Sequence, residues 1–294
     1  MIVLDDGYAR AEVHPEMGGA VGRYDFIAAD GRMQAIFETT PSATRPGPFA
    51  LGSNLLVPFS NRISGGGFYH EGTFHPLERN SGDRYPIHGN ALWLPWAIRE
   101  ATTNRAVLAL ASDGPGPFRY DAEVSYALAN GALTMRLVVV QRAASSLPYG
   151  AGFHPWFVRS PQTQLKMTTE GYWTETPDHL PDSYLPAAGD ERFDFSNGRA
   201  LPETFFNNAF TGWDGRATLS WPDRGLAVEI RALPPLTTVI LYSPSSDCGY
   251  VCIEPVSHSV DAHNRRGTGV TPPQVLRPDE ALVVETTIWP HVIK

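Results

Sequence analysis

The sequence predicts an all-β protein, a large antiparallel β-sandwich, on three observations. Asn130-Gly131 lies between two alternating apolar runs, residues 122–129 and 132–141, and supplies the positive φ values of a tight hairpin turn. Runs rich in β-branched and aromatic residues recur along the chain, bounded by Gly, Pro, Asp or Ser. No segment carries the capped 3.6-residue apolar stripe of an amphipathic helix.

In chain order, residues 107–111 form the first clear strand, followed by the Asn130-Gly131 hairpin. A second hairpin joins 217–221 to 226–230 through Pro222-Asp223-Arg224-Gly225, and 237–242, 250–254 and 281–288 complete the set. Pro255 lacks a donor and is expected to end the strand before it. Each such sheet must bury its apolar face against another, which makes a sandwich the default architecture. With 294 residues, no repeat and no linker, the chain reads as a single domain over residues 1–294, since all-β sandwiches run to roughly 200–250 residues as one unit.

Residues 52–90 and 177–215 break the strand pattern with dense Gly, Pro, Asn and His, and read as long, functional loops. Gly65-Gly66-Gly67 reads as a hairpin turn, because no strand leads into it and no helix follows, as a phosphate loop would require.

The composition excludes several classes. A formal net charge of −8 and the lack of a basic arm argue against nucleic acid. The start, Met1-Ile2-Val3-Leu4-Asp5-Asp6, has carboxylates where a signal peptide needs a basic and then an apolar region. Apolar runs such as 137–140 fall far short of the ~20 residues that span a bilayer, so a soluble, cytoplasmic protein is expected. In an extended chain, Cys248 and Cys252 stand about 13 Å apart, too far to bond, and read as small buried side chains in a reducing compartment.

Two segments could carry chemistry. In 148–157, strand alternation puts Gly150, Gly152 and His154 on one face, so that the imidazole looks across bare backbone where a flat ligand could lie, with Trp156 or Phe157 as an apolar wall. A half-buried structural histidine in an aromatic cluster fits this segment equally well. In 249–255, Glu254 shares a face with Tyr250 and Cys252, among apolar neighbours. Burial raises a carboxyl pKa toward the range of a general base, whereas a salt bridge to Arg62 or Arg265 would make Glu254 structural. None of the nine histidines has helical metal-ligand spacing, so no metal site is assigned, and His258 and His263 read as surface or supporting residues.

Taken in order, Asn61-Arg62-Ile63, His88-Gly89, His154-Pro155-Trp156-Phe157, Asn207-Asn208-Ala209-Phe210 and Glu254-Pro255 resemble the aldose 1-epimerase (galactose mutarotase-like) family over nearly the whole chain. The resemblance implies that family's supersandwich fold and an isomerase interconverting the α and β anomers of a free hexose. It implies Glu254 as general base and His154 as general acid, with Arg62 and His88 binding sugar and Asn61 in support. Asn207 stands where relatives commonly have Asp, so hydroxyl recognition there can differ. The expected partner is a small-molecule aldohexose, no cofactor or metal is needed, and the chain is expected to be a monomer or homodimer. Two rivals are a hexose-6-phosphate mutarotase, using Arg79, Arg84, Arg265 or Arg266, and a non-catalytic carbohydrate-binding protein. A glycosidase or lyase would need a carboxylate pair, and only Glu254 stands at such a position.

Overall fold

A computed structural model describes residues 1–39 and 47–293. Among the described residues the only helical elements are three 3₁₀ turns of three or four residues, and no helix is long and apolar enough to cross a membrane.

Two large antiparallel sheets carry the structure. The first has eleven strands. Its order is Ile2–Asp5, Ala9–His14, Ala20–Ile27, Ser53–Leu56, Gly152–Val158, Tyr250–Val256, Thr238–Ser243, Phe206–Thr211, Gly171–Glu175 and Pro181–Pro186, with Met33–Ala35 paired beside Ala20–Ile27. The second has nine. It runs Arg199–Ala200, Gln164–Met167, Arg216–Trp221, Leu226–Ala232, Ala281–Val292, Ala132–Gln141, Tyr120–Ala129, Arg105–Ser112 and Ala97–Ala101. The Asn-Gly hairpin forms in the expected register, Ala129 opposite Ala132, with φ of 52° at Asn130 and 80° at Gly131.

The sheets pack face to face over one apolar cluster reaching from Leu4 to Ile288. Phe153, Phe157, Val251 and Ile253 enter it from the first sheet, and Leu133, Met135, Leu137, Val284 and Ile288 from the second. Strands of the second sheet alternate buried with less buried residues, so one face meets water. The centre of the first sheet differs. Every residue of Ser53–Leu56 and Tyr250–Val256 is buried, and so is all of Gly152–Val158 except its last residue. Its outer face is covered by the segments that sequence reading took for loops, and that covered face holds the candidate site.

Several local expectations are corrected. Residues 52–90 contain the strands Ser53–Leu56, Gly67–His70 and Thr73–Pro76, and 177–215 contain Pro181–Pro186, Arg199–Ala200 and Phe206–Thr211. Two of these are interior strands of the first sheet, and strands buried on both faces lack the alternation that reveals a half-exposed strand. Pro255 does not end its strand, which continues to Val256 and pairs with Val239 and Thr238. Gly65-Gly66 turns the chain into Gly67–His70, and the hairpin turn that follows is Glu71-Gly72, at φ 48° and 79°. Cys248 is half-buried, Cys252 is buried, and neither forms a disulfide.

His258 and His263 are interior residues, not surface ones. His258 Nδ1 lies 2.8 Å from the Ser259 carbonyl and its Nε2 accepts from the Ser60 amide, while His263 Nε2 lies 2.9 Å from the Pro148 carbonyl. Burial pushes them down to about 4 and about 3, respectively. Because these folded values lie below the unfolded value, each ring destabilises the fold as pH falls below the unfolded pKa. Between pH ~6 and ~4 each should take about 1.4 kcal/mol of stability per pH unit. His263→Gln should therefore show a shallower acid loss of stability than wild type in urea titrations across that window, and equal slopes would reject the assignment.

Candidate active site

Register builds the site. Gly152 pairs with Val256 and Trp156 with Cys252, so the intervening His154 and Glu254 stand opposite each other on neighbouring antiparallel strands. Pro155 and Pro255, one on each strand, remove two amide donors from this stretch. Asn54 lies across from His154 on the other side, and Glu254 is followed by Ile240 and Ala209. The adjacent row on the same face is Trp156, Cys252, Tyr242 and Asn207.

His154 Nε2 is 3.3 Å from Glu254 Oε1. Both residues are at most 5% exposed. Burial holds the Glu254 carboxyl well above the usual carboxylate range, with the Arg62 charge pulling the other way. Its Oε2 has no hydrogen-bond partner among the described residues. The His154 ring stacks on Trp156 with centroids 4.6 Å apart, and Trp156 Nε1 donates to Asn54 Oδ1 at 3.2 Å. Asn54 donates in turn to the Pro48 carbonyl, and Phe49 beside it packs against His88, His154 and Trp156.

The segment after Ser53–Leu56 brings in the remaining residues. Asn61 and His88 both hold left-handed backbone, φ 53° and 60°, and bond each other twice. The Asn61 amide donates to His88 Nδ1 at 3.0 Å, and the His88 amide to the Asn61 carbonyl at 3.1 Å. Burial, reinforced by His154 and Arg62, keeps His88 well below the usual histidine pKa. Its ring is therefore neutral near pH 7, and since Nδ1 accepts, the proton sits on Nε2 as a donor. Arg62 does not pair with Glu254. Its guanidinium grips Asp83 through Nε and Nη2, the latter at 2.7 Å, while Nη1 donates to Asn61 Oδ1. Burial opposes the ionisation of Asp83, yet the Arg62 guanidinium and the Tyr85 amide outweigh it and hold the carboxyl low. Arg265 lies 3.9 Å from Asp261, so neither arginine proposed as a structural partner neutralises Glu254.

Asn207 donates to Glu175 Oε2 at 2.8 Å, and that oxygen also lies 3.0 Å from His179 Nδ1. Asn61, Trp173, Glu175, His179, Asn207 and Ile240 line a cleft that opens over the row continuing from Glu254. A larger groove on the second sheet contains neither histidine nor cysteine. The bare backbone expected at Gly150 and Gly152 is not ligand space. A Cβ at Gly150 would lie 1.9 Å from the His258 ring, and one at Gly152 would lie 2.7 Å from the Pro255 carbonyl oxygen. Small residues there let protein, not ligand, approach.

Of the six sequence-derived candidates, Asn61 and Asn207 line the cleft; Arg62 and His88 bond Asn61, Glu254 pairs with the lining residue Ile240, and His154 faces Glu254. Asp83, Asn54, Phe49 and Glu175 escaped sequence reading. Glu175 alone had a local cue, since alternation in Gly171–Glu175 sets it on the face of Trp173, whereas the others meet the site only through folding.

Comparison with known proteins identifies the family. The sequence profile of the family described as aldose 1-epimerase matches residues 10–289. The chain belongs to the aldose 1-epimerase family. Among family relatives, the uncharacterized protein YphB of Escherichia coli K12 is 32% identical over 71% of this chain and 74% of its own. A candidate aldose 1-epimerase structure from Escherichia coli K12 superposes with a TM-score of 0.88 at 26% identity, covering 99% of both chains. The galactose 1-epimerase of Lactobacillus acidophilus shares the fold, with a TM-score of 0.76 at 16% identity over 99% of this chain and 93% of that one.

In this family member the Arg62–Asp83 bridge is mostly shielded, with side chains 12% and 21% exposed. Asp83→Asn is expected to cost about 1–3 kcal/mol, the range for a lost charged hydrogen bond, in chemical denaturation. An unchanged midpoint would show the bridge to be dispensable.

Proposed function

We propose that the protein is an aldose 1-epimerase acting on a free aldohexose, with Glu254 as general base and His154 as general acid. The observation that carries this reading is the facing pair itself, a carboxylate and an imidazole 3.3 Å apart on one buried sheet face beside a cleft. The anomeric hydroxyl and the ring oxygen are bonded to the same carbon, so an acid and a base serving them must be neighbours. Glu254 takes the proton from the C1 hydroxyl while His154 protonates the ring oxygen, the C1–O5 bond breaks, and the aldehyde forms. Rotation about C1–C2 presents the other carbonyl face. On reclosure the ring hydroxyl returns its proton to His154 and Glu254 protonates the new anomeric oxygen, so the pair ends as it began.

The surroundings supply what the reaction needs. A buried carboxylate with a raised pKa is a stronger base than one in water. Trp156 holds the His154 ring in place, His88 offers an Nε2–H to a sugar oxygen, and Arg62 and Asn61 are spaced to bind hydroxyls. Near Asn207, Glu175 supplies a carboxylate for hydroxyls. A neutral sugar is favoured over a hexose 6-phosphate because Arg84 is bridged to Asp178, and Arg266 donates to backbone carbonyls. The same reading places the protein in the cytoplasm, where free aldohexoses are metabolised.

Exchange NMR or polarimetry on freshly dissolved α-glucose and α-galactose tests it. Glu254→Gln and His154→Asn should each lower the rate about 10²–10⁴-fold with the fold intact. The double variant should lose little more than either single one, because the two groups act as a unit. Undiminished exchange in either single variant would remove that residue from the mechanism, and preference for glucose 6-phosphate would overturn the free-sugar assignment.

A further inference from the structure

Beyond the acid and base, the same sheet face carries a thiol. Cys252 precedes Glu254 by two positions on one strand and faces Trp156 across the sheet. One donor atom each from His154, Cys252 and Glu254 lies within 4.8 Å of the others, and all three residues are buried. Nothing in epimerisation calls for sulfur at this position.

We propose that His154, Cys252 and Glu254 form a binding site for a thiophilic divalent transition-metal ion, zinc(II) above all, whose occupation shuts out the sugar. The donor set is one imidazole, one thiolate and one carboxylate, which suits zinc or cobalt(II) and disfavours magnesium or calcium, ions that prefer all-oxygen shells. Zinc bonds of ~2.0 Å to nitrogen or oxygen and ~2.3 Å to sulfur give tetrahedral edges of about 3.3–3.5 Å. The His154–Glu254 separation of 3.3 Å already matches such an edge. Closing the longest separation takes a shift of about 1 Å, within reach of side-chain rotation. Thiolate and carboxylate together neutralise the dication, which removes the penalty of burying an isolated charge. The thiol proton passes to solvent as the sulfur–metal bond forms. Three protein ligands leave a fourth position for water.

Metal binding stands apart from the proposed reaction, while exclusion of sugar rests on it, and the experiment separates the two. Titrating metal-free protein with cobalt(II) should produce a near-ultraviolet thiolate-to-cobalt charge-transfer band saturating at one equivalent, bleached by zinc(II) and indifferent to excess magnesium. Cys252→Ser should abolish the band and weaken binding at least tenfold, whereas Cys248→Ser should retain both. Should Cys252→Ser fail to fold, Cys252→Ala carries the same expectation. In mutarotation assays, zinc(II) should inhibit the wild type competitively with sugar and reversibly on adding EDTA, and should inhibit the Cys252 variant at least tenfold more weakly. Cobalt binding without the band, or equal affinity in the Cys252 variant, would overturn the site. The band together with zinc-insensitive turnover would overturn exclusion of the sugar. A protein that shows the band but no mutarotation under any condition would leave the metal site standing and refute the proposed function.

Discussion

Strand register is the constraint on which the site depends. His154 and Glu254 face each other only because Gly152–Val158 and Tyr250–Val256 pair with Trp156 opposite Cys252. A one-residue slip of either strand would turn its side chains to the other face, sending an imidazole or a carboxylate into the inter-sheet core. Phe153, Phe157, Val251 and Ile253 are fully buried there. Each contributes roughly 1.5–3 kcal/mol by leaving water, so the core holds the register far more firmly than the polar pair could. The apolar side of the sheet thus sets the geometry of its polar side.

Burying ionisable groups opposes folding, and the surrounding contacts show how the chain offsets this. Arg62 is satisfied by Asp83 and Asn61, and Asn61 and His88 satisfy each other through main-chain and ring contacts. Burial keeps His88 neutral and the amide it accepts from fixes its tautomer, so it offers a donor without adding a buried charge. Glu254 is different, because one of its oxygens has no hydrogen-bond partner among the described residues. Such a group lowers stability, and the proposed sugar contact would give it a partner.

The two sheets divide the work. The second, alternating and half-exposed, closes the core. The first is buried on both faces at its centre, and its outer face is roofed by Phe49, by the Asn61–His88 segment and by the strands around Trp173. That roof makes a carboxylate, an imidazole and a thiol near neighbours in low dielectric. Both the proposed proton transfer and the proposed metal site draw on this one arrangement.

The sequence by itself determined the all-β class, the Asn130-Gly131 hairpin and the second-sheet strands around residues 107–111, 217–230 and 281–288, because those features are local: turn chemistry and alternation are written in adjacent residues. It also marked His154 and Glu254, through a histidine amid glycines and a carboxylate amid apolar neighbours. Tertiary structure decided the rest. Ser53–Leu56 and Phe206–Thr211 are interior strands without alternation, and the partner of Arg62 is Asp83, twenty-one positions away in a segment with no periodic signal. Glycines that looked like a ligand floor make room for His258 and for the Pro255 backbone. Proximity across a sheet depends on which strands become neighbours, and that is set by the sum of all core contacts, which no short stretch of sequence contains.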